Sequence, residues 1–417
     1  MAEFDRFRWL SARLKVGDRR LVVLTGARQT GKTTLAKAAF PELRYLNLDD
    51  LELRRTLHDL PAVRWGKDVG ASVLDEVQKE PAVFDKVKYA FDAGDLRASV
   101  LLGSSRILLL ERVRETLAGR AFVFDLWPLM PSEVRQPANV PAEPPLLDRL
   151  LGDDGVDAVL GDEPPQLLPE PDDARWSAFE HVLRWGGMPE LLRLGEAERR
   201  EWLRSYTQTF LERALLDLVR LADLEPFAAL QRLCMLRSGQ LLNYSELARD
   251  AGIAPKTAQR YLEYLRLSYQ VLLLPPYSAN LTSRVVKSPK VYWADLGLLR
   301  QATRQWETER GELFETAVVV EVHKWVSTSA RDATLTFYRT TSGLEVDLLV
   351  ETARGVMGVE VKDRDQAGHA DARGLRAIAK ELGPRWRGGL VVHHGRRIER
   401  IDDGLGIWAV PAHRLLG

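Results

Sequence analysis

Cysteine is almost absent from this chain: Cys234 is the single one among 417 residues, so an intramolecular disulfide is excluded. Long apolar runs are missing too, since none approaches the roughly 18 residues that span a bilayer. The first ten residues are too charged for a signal peptide. These absences predict a soluble, cytoplasmic protein without a membrane partner.

An excess of one charge is also missing. Lysine plus arginine and aspartate plus glutamate each total 59, so the total charge indicates no class of partner, although a balanced total can hide a local basic face. No internal repeat is present. Because the chain is too long for one hydrophobic core, roughly two to four domains are expected.

Changes in composition along the chain predict an α/β multidomain protein. Aromatic and aliphatic residues at helical spacing predict an amphipathic helix over 3–15. The predicted units are a core of alternating strands and helices over 1–135 that includes this helix, a proline- and acid-rich connector over 136–174, a helical region over 175–240, a winged helix-turn-helix over 241–285 and a mixed α/β domain over 286–417.

The clearest motif has the spacing G-x-x-x-x-G-K-[ST] between an apolar strand and a helix. In that setting the backbone N–H groups of the loop and of the helix N-terminus point at phosphates. We expect Lys32 to reach the β- and γ-phosphates in a catalytic role, and the Thr33 hydroxyl to bind Mg²⁺. The predicted ATP-binding loop comprises Gly26, Ala27, Arg28, Gln29, Thr30, Gly31, Lys32, Thr33 and Thr34.

A second apolar strand ends in Asp75-Glu76. We expect Asp75 to help hold Mg²⁺ and Glu76 to orient the attacking water. A third strand ends in a serine pair, and Ser104 or Ser105 is the candidate γ-phosphate sensor, although a serine-rich turn explains the pair nearly as well. Arg120 is either an arginine finger, acting in cis or on a neighbouring copy, or a surface arginine after a glycine.

Residues 243–262 have the layout of a helix-turn-helix. A glycine ends the first helix and Pro255 suits the start of the second, whose predicted outer face carries Lys256, Thr257, Gln259 and Arg260. From 243 to 290 there are seven basic residues, including Lys290, and three acidic ones, so the local charge is +4. This charge favours DNA binding with little base specificity. The alternative is a winged helix used only for packing or protein contacts.

Near the carboxy terminus, two predicted strands joined by a short turn carry Asp347 and the pair Glu360 and Lys362. In a hairpin the two carboxylates come together, with Glu360 and Lys362 on one face. Glu315 on a preceding helix is a further candidate ligand. Such carboxylates suit a hard divalent metal, and Lys362 is the candidate catalytic cation. A charge-rich hairpin without chemistry is the alternative.

The order of these parts resembles that of bacterial and archaeal AAA-type ATPases with an appended carboxy-terminal domain of unknown function. The resemblance rests on residues 25–34, 74–79, 117–120, 126–129, 185–190, 287–292 and 295–298. The carboxy-terminal segment looks like the PD-(D/E)XK nuclease fold, read onto Glu315, Asp347, Glu360 and Lys362. The resemblance implies an ATPase that acts near nucleic acid.

Two functions therefore compete. The first is a Mg²⁺-dependent ATP hydrolase that binds DNA and remodels or processes it, like a helicase or translocase, with nuclease activity left open. The second is a nucleotide-switched DNA-binding or signalling protein whose nuclease-like domain does not cut. ATP and Mg²⁺ are the expected cofactors of both, and the expected partners are DNA and further copies of the chain.

Overall fold

The computed structural model describes most of the chain, with short gaps. The described ranges are 6–14, 19–103, 106–137, 140, 142–216, 224–278, 288–306, 311–340 and 342–417. The sensor candidates Ser104 and Ser105 lie outside them. No helix in these ranges combines the length and the apolar character needed to cross a membrane.

The amino-terminal part is built on a five-stranded parallel sheet in the order β2-β3-β4-β1-β5. The central strands β1, β3 and β4 are mostly apolar and buried because both of their faces are covered, whereas the edge strands β2 and β5 are partly exposed. On β1, Leu21 and Val23 enter one core and Val22 and Leu24 enter the other. The strands are β1 Arg20–Thr25, β2 Arg44–Asn47, β3 Ser72–Asp75, β4 Ala98–Gly103 and β5 Ala121–Asp125.

Helices cover both faces of this sheet. The α-helices are Ser11–Leu14, Lys32–Ala39, Leu51–Asp59, Trp65–Asp68, Ala82–Ala93, Arg106–Thr116 and Pro131–Arg135, with 3₁₀ turns at Ala62–Arg64 and Val77–Lys79. The helix predicted over 3–15 is wrong for residues 6–10, which are not helical. Phe7 N–H donates to the Gln136 carbonyl (3.3 Å), and the Arg8 side chain donates to the Trp127 carbonyl. These tertiary contacts outweigh the helical pattern.

The predicted connector is part of the packed structure. Its acidic residues accept hydrogen bonds from the carboxy-terminal part: Trp408 donates to Asp157 (2.9 Å), and Trp325 donates to Asp148 (3.2 Å). These carboxylates therefore hold the segment in place. The helices here and in the following region are Leu146–Leu150, Val156–Gly161, Pro169–Trp185, Glu196–Leu216 and Leu224–Leu236, with a 3₁₀ turn at Pro189–Leu192.

A helix pair with a small antiparallel sheet follows. Asn243 caps the first helix by accepting from two backbone N–H groups. Gly252 has the left-handed conformation (φ 67°) between the helices, and Pro255 begins the second. The helices are Tyr244–Asp250 and Pro255–Leu267, and the strands, in the order β6-β8-β7, are β6 Gln240–Leu241, β7 Val271–Leu274 and β8 Lys290–Trp293.

The carboxy-terminal part contains a mixed sheet in the order β13-β14-β12-β11-β10-β9. Its strands are β9 Ala333–Arg339, β10 Glu345–Thr352, β11 Gly355–Lys362, β12 Trp386–His393, β13 Glu399–Asp402 and β14 Ile407–Pro411. The helices are Leu296–Thr303, Gly311–Ser329, Arg373–Leu382 and Ala412–Leu416, with 3₁₀ turns at His369–Ala372 and Gly383–Arg385.

One hydrophobic cluster runs through most of the chain after residue 127. It joins Leu146 of the predicted connector, Phe227 of the helical region, Leu262 of the helix pair and Leu348 of the carboxy-terminal sheet. The boundaries between these units stay predictions. The units themselves are joined by apolar contacts within this cluster. Displacing any of them would expose part of a common core.

Candidate functional site

The predicted phosphate loop joins β1 to the helix Lys32–Ala39. Gly26 (φ 153°) packs closely against the backbone of Leu126, which directly follows β5. A Cβ atom on Gly26 would be 2.3 Å from the Leu126 carbonyl oxygen. Gly31 (φ 93°) starts the helix and has open space on its Cβ side. No side chain caps this helix, and the first N–H groups of a helix have no partner within it, so this N-terminus can bind an anion.

Lys32 is folded back onto this loop. Its ammonium donates to the carbonyl oxygens of Gly26 (3.0 Å) and Ala27 (2.7 Å). Burial lowers its pKa to about 8, opposed by the nearby carboxylates of Glu76 and Asp75. The direct partners of this buried ammonium are neutral carbonyl oxygens, and a bound phosphate would place a negative charge in contact with it.

Thr33 and Asp75, the two predicted Mg²⁺-binding residues of the ATP site, are in direct contact. The Thr33 hydroxyl donates to Asp75 Oδ2 (2.6 Å), and the same oxygen accepts from the Tyr45 hydroxyl (2.8 Å). The Asp75 Oδ1 atom accepts from the Glu76 backbone N–H (2.9 Å). A hydroxyl and a carboxylate are hard oxygen donors and fit Mg²⁺.

Glu76 lies directly after β3 in a left-handed conformation (φ 54°), which is uncommon and costly for a residue other than glycine. The Gln78 side-chain amide donates to its carboxylate. Gln78 is itself packed against Gly103, where a Cβ would be 2.7 Å from its Oε1. The strained backbone and the amide together fix the direction of the Glu76 carboxylate.

The remaining loop residues are held by contacts from several parts of the chain. Thr30 Oγ1 donates to the Ala27 carbonyl (2.9 Å), and the Tyr206 hydroxyl donates to the Arg28 carbonyl (3.2 Å). Gln29 is exposed with a left-handed backbone (φ 60°), and Thr34 is exposed on the helix. The Tyr206 contact could not be predicted from the sequence, because Tyr206 is 178 residues from Arg28 along the chain.

Arg120 is held at the surface by Asp92. Its Nε and NH2 atoms donate to the two carboxylate oxygens at 2.6 and 3.0 Å. This pairing lowers the pKa of the Asp92 carboxyl. Arg120 lies outside the loop contacts described above, and an arginine-finger role, in cis or on a neighbouring copy, stays a prediction.

Tyr269, just after the helix Pro255–Leu267, reaches the base of the phosphate loop. Its hydroxyl donates to Asp125 Oδ1 (2.5 Å) and lies 2.7 Å from Thr25 Oγ1. Its backbone is left-handed (φ 63°). Thr25 and Asp125 are paired at the ends of β1 and β5, so this residue joins the helix pair to the loop.

The helix Pro255–Leu267 exposes most of the predicted DNA-contacting side chains. Lys256, Gln259 and Arg260 are exposed and Thr257 is half-buried. Lys290 is one of the seven basic residues that contribute to the predicted local charge of +4. In the structure it is buried and faces acidic residues. The expected positive surface is therefore smaller than the sequence charge implies.

The carboxy-terminal candidates converge. A bulge between Val346 and Leu349 lies at Asp347, and the Val361 backbone N–H donates to Asp347 Oδ2 (2.8 Å). Lys362 donates to Glu360 Oε1 (2.6 Å). Bulges often redirect a side chain next to a site. The structure thus brings Asp347, Glu360 and Lys362 together.

Glu315 joins this group through Lys290. The Lys290 ammonium is 3.0 Å from Glu315 Oε1 and 3.6 Å from Asp347 Oδ1, and it also contacts Glu345. Burial and the Asp347 charge raise the pKa of Glu315 to about 7 and of Glu360 to about 8. In the described ranges, no three acidic, histidine or cysteine side chains are arranged to hold a metal. We call Glu315, Glu345, Asp347 and Glu360 the acidic cluster.

Family comparisons divide the chain into three parts. Residues 18–135 match the family model of the AAA domain. The amino-terminal part, which contains the P-loop, is therefore similar to AAA domains. Residues 177–309 and 310–415 match two families each described as a domain of unknown function, DUF8612 and DUF4143. The mixed sheet lies within the second of these.

Two mycobacterial proteins, both called uncharacterized, are similar to most of the chain. The proteins of Mycobacterium tuberculosis and Mycobacterium bovis are each 28% identical over 356 residues, covering 82% of this chain and 70% of theirs. Among solved structures, a Walker-type ATPase of Pyrococcus abyssi is 16% identical with a TM-score of 0.45, covering 71% of this chain and 94% of its own. The Orc1 protein of Aeropyrum pernix, solved in complex with DNA, is 16% identical with a TM-score of 0.30, covering 70% of this chain and 88% of its own.

Proposed function

We propose that the chain is a Mg²⁺-dependent ATP hydrolase that binds DNA and remodels or processes it. The contact between the Thr33 hydroxyl and Asp75 carries this proposal, because it lies beside the helix that begins after Gly31. Phosphate-binding N–H groups, a lysine and two oxygen donors for Mg²⁺ then occupy one corner of the parallel sheet.

Each residue of this corner would have a separate role. The N–H groups after Gly31 and the Lys32 ammonium would hold the phosphates. Thr33 and Asp75 would hold Mg²⁺, which neutralises phosphate charge when bound. Glu76 would accept a hydrogen bond from the attacking water and align it, with Gln78 fixing the carboxylate.

The order of elements over 224–293 supports a DNA-binding role. A helix, a short strand, two further helices and two antiparallel strands follow one another, as in a winged helix. Lys256 and Arg260 are exposed on the second helix of the pair, where they can meet DNA phosphates. Gln259 beside them can reach a base edge.

The acidic cluster favours the alternative function more than the first. The Lys290 ammonium contacts Glu315, Asp347 and Glu345, so this cluster already contains a cation supplied by the chain. A nuclease-like domain in that state would bind nucleic acid without cutting it. The alternative is therefore a nucleotide-switched DNA-binding or signalling protein.

ATP hydrolysis by purified protein, with and without single-stranded, duplex and branched DNA, tests the proposal. Glu76→Gln should still bind ATP but turn over on the order of 100-fold more slowly, because the water loses its base. The exposed Glu42→Gln in the same domain is the matched control. Undiminished turnover in Glu76→Gln would remove Glu76 from the mechanism.

The same assay separates the two functions. Multiple turnovers that DNA stimulates support the hydrolase that processes DNA. Slow turnover, with an oligomeric state that changes between ADP and ATP in light scattering, supports the switch. Absence of any ATP binding would contradict both.

A further inference from the structure

We propose that Lys290 is an internal competitor for a divalent cation at the acidic cluster, so that a metal binds there only when this ammonium is displaced. The inference rests on the proposed role of the cluster in a nuclease-like site. It concerns the regulation of that site rather than its chemistry.

The first observation is the number of acidic partners that one ammonium has. Lys290 Nζ lies 3.0 Å from Glu315 Oε1 and 3.6 Å from Asp347 Oδ1, and it contacts Glu345. The Lys290 side chain is only 4% exposed. Carboxylates that would otherwise repel one another are stabilised by this charge, as they would be by a metal ion.

The second observation is an incomplete ligand set. Glu360 Oε2 is buried and has no hydrogen-bond partner among the described residues, while its other oxygen accepts from Lys362. A buried acceptor without a partner is costly and uncommon. This oxygen is available to a cation that also binds Asp347, but the Lys290 charge would repel that cation.

The third observation is the origin of Lys290. It is the first residue of β8, where it pairs with Leu274 of β7 and Leu241 of β6. The ammonium therefore reaches the cluster from the sheet of the helix pair. Because linkage is reciprocal, a cation that displaces Lys290 must also weaken the attachment of β8 to the cluster.

The test is Mn²⁺ binding, measured by electron paramagnetic resonance on the full chain. Asp75→Asn is present in every preparation to weaken Mn²⁺ binding at the ATP site. Lys290→Met should bind one Mn²⁺ at least tenfold more tightly than the same chain with Lys290. Adding Asp347→Asn should abolish the gain, and Lys290→Arg, which keeps the charge, should show none. Equal or weaker binding by Lys290→Met would overturn the inference.

A second measurement does not depend on the folding of a variant. In the Asp75→Asn chain, Mn²⁺ should increase acylation of Lys290 by an amine-reactive reagent several-fold, read by peptide mass spectrometry. Exposed Lys256 is the internal control and should label equally with and without Mn²⁺. Unchanged labelling of Lys290 at saturating Mn²⁺ would contradict displacement.

Failure here is distinguishable from failure of the proposed function. ATP hydrolysis depends on Lys32 and Glu76 and is measured separately on the chain that retains Asp75. A chain that hydrolyses ATP but gains no Mn²⁺ in Lys290→Met retains the proposed ATPase function and loses the inference. If Lys290→Met binds Mn²⁺ more tightly but the chain hydrolyses no ATP, the inference is retained and the proposed ATPase function is lost.

Discussion

The buried carboxyl of Glu321 should make the stability of the chain fall as pH rises through neutrality. Glu321 lies on the helix Gly311–Ser329, and its side chain and that of Lys324 are each 1% exposed. Its Oε1 accepts from the Lys324 ammonium at 2.6 Å, while Oε2 is buried with no hydrogen-bond partner among the described residues. Burial of Oε1 is therefore compensated by the hydrogen bond from Lys324, whereas burial of Oε2 is not compensated.

The direction of the stability change with pH follows from which state of the chain, folded or unfolded, binds the Glu321 proton more tightly. Burial raises the pKa of Glu321 from 4.5 to about 7, and Lys324 only partly opposes it. Between these values the folded chain keeps a proton that the unfolded chain has lost, so stability falls with rising pH. From pH 5 to pH 8 the loss of stability from this one group is on the order of 2–3 kcal/mol.

Glu321→Gln removes the titration and keeps an oxygen for Lys324. Relative to wild type, its free energy of unfolding should therefore rise by roughly 2–3 kcal/mol between pH 5 and pH 8. Urea unfolding followed by tryptophan fluorescence measures this difference at each pH. The exposed Glu312→Gln on the same helix is the control and should show a flat difference. A flat difference for Glu321→Gln as well would refute the assignment of a neutral carboxyl.

Two further predictions concern the ATP and DNA sites. Apparent nucleotide affinity should fall about tenfold from pH 7 to pH 9, because Lys32 loses its proton near pH 8 in the free chain; a titration with a fluorescent ATP analogue that shows no fall would contradict this. Replacing Lys256 and Arg260 with glutamine should lower the slope of log affinity against log salt by about 0.9 for each lost phosphate contact. The exposed pair Arg373 and Lys380, changed in the same way, should leave the slope unaltered.

The ATP site could be predicted from sequence because its parts are local or follow from strand order. Gly26 to Gly31 form one loop, Lys32 and Thr33 begin the helix that follows it, and Asp75 ends the buried strand β3. Tyr45 was missed although its hydroxyl reaches Asp75. Its strand, β2, is the neighbour of β3 in the sheet, and nothing in the local pattern specifies that pairing.

Lys290 shows why charge counting fails at the second site. In sequence it stands among basic residues that suggest a DNA-binding wing, whereas in the structure it is buried against three carboxylates. The partners Glu315, Glu345 and Asp347 are 25 or more residues away, so no local period signals the contact. The same holds for Asp157 and Asp148, whose partners Trp408 and Trp325 come from the far end of the chain.

The sheet of the helix pair lies between the two candidate sites and contacts both. Val271 of β7 pairs with Trp293 of β8 at one end, and Leu274 pairs with Lys290 at the other, roughly 10 Å apart along the strands. At the first end, Tyr269 reaches the base of the phosphate loop; at the second, Lys290 enters the acidic cluster. A cavity beside the loop is lined by Ala27, Tyr269 and Trp293. Backbone hydrogen bonds join β7 and β8 into one unit, so the strand that follows Tyr269 and the strand that begins with Lys290 belong to the same small sheet.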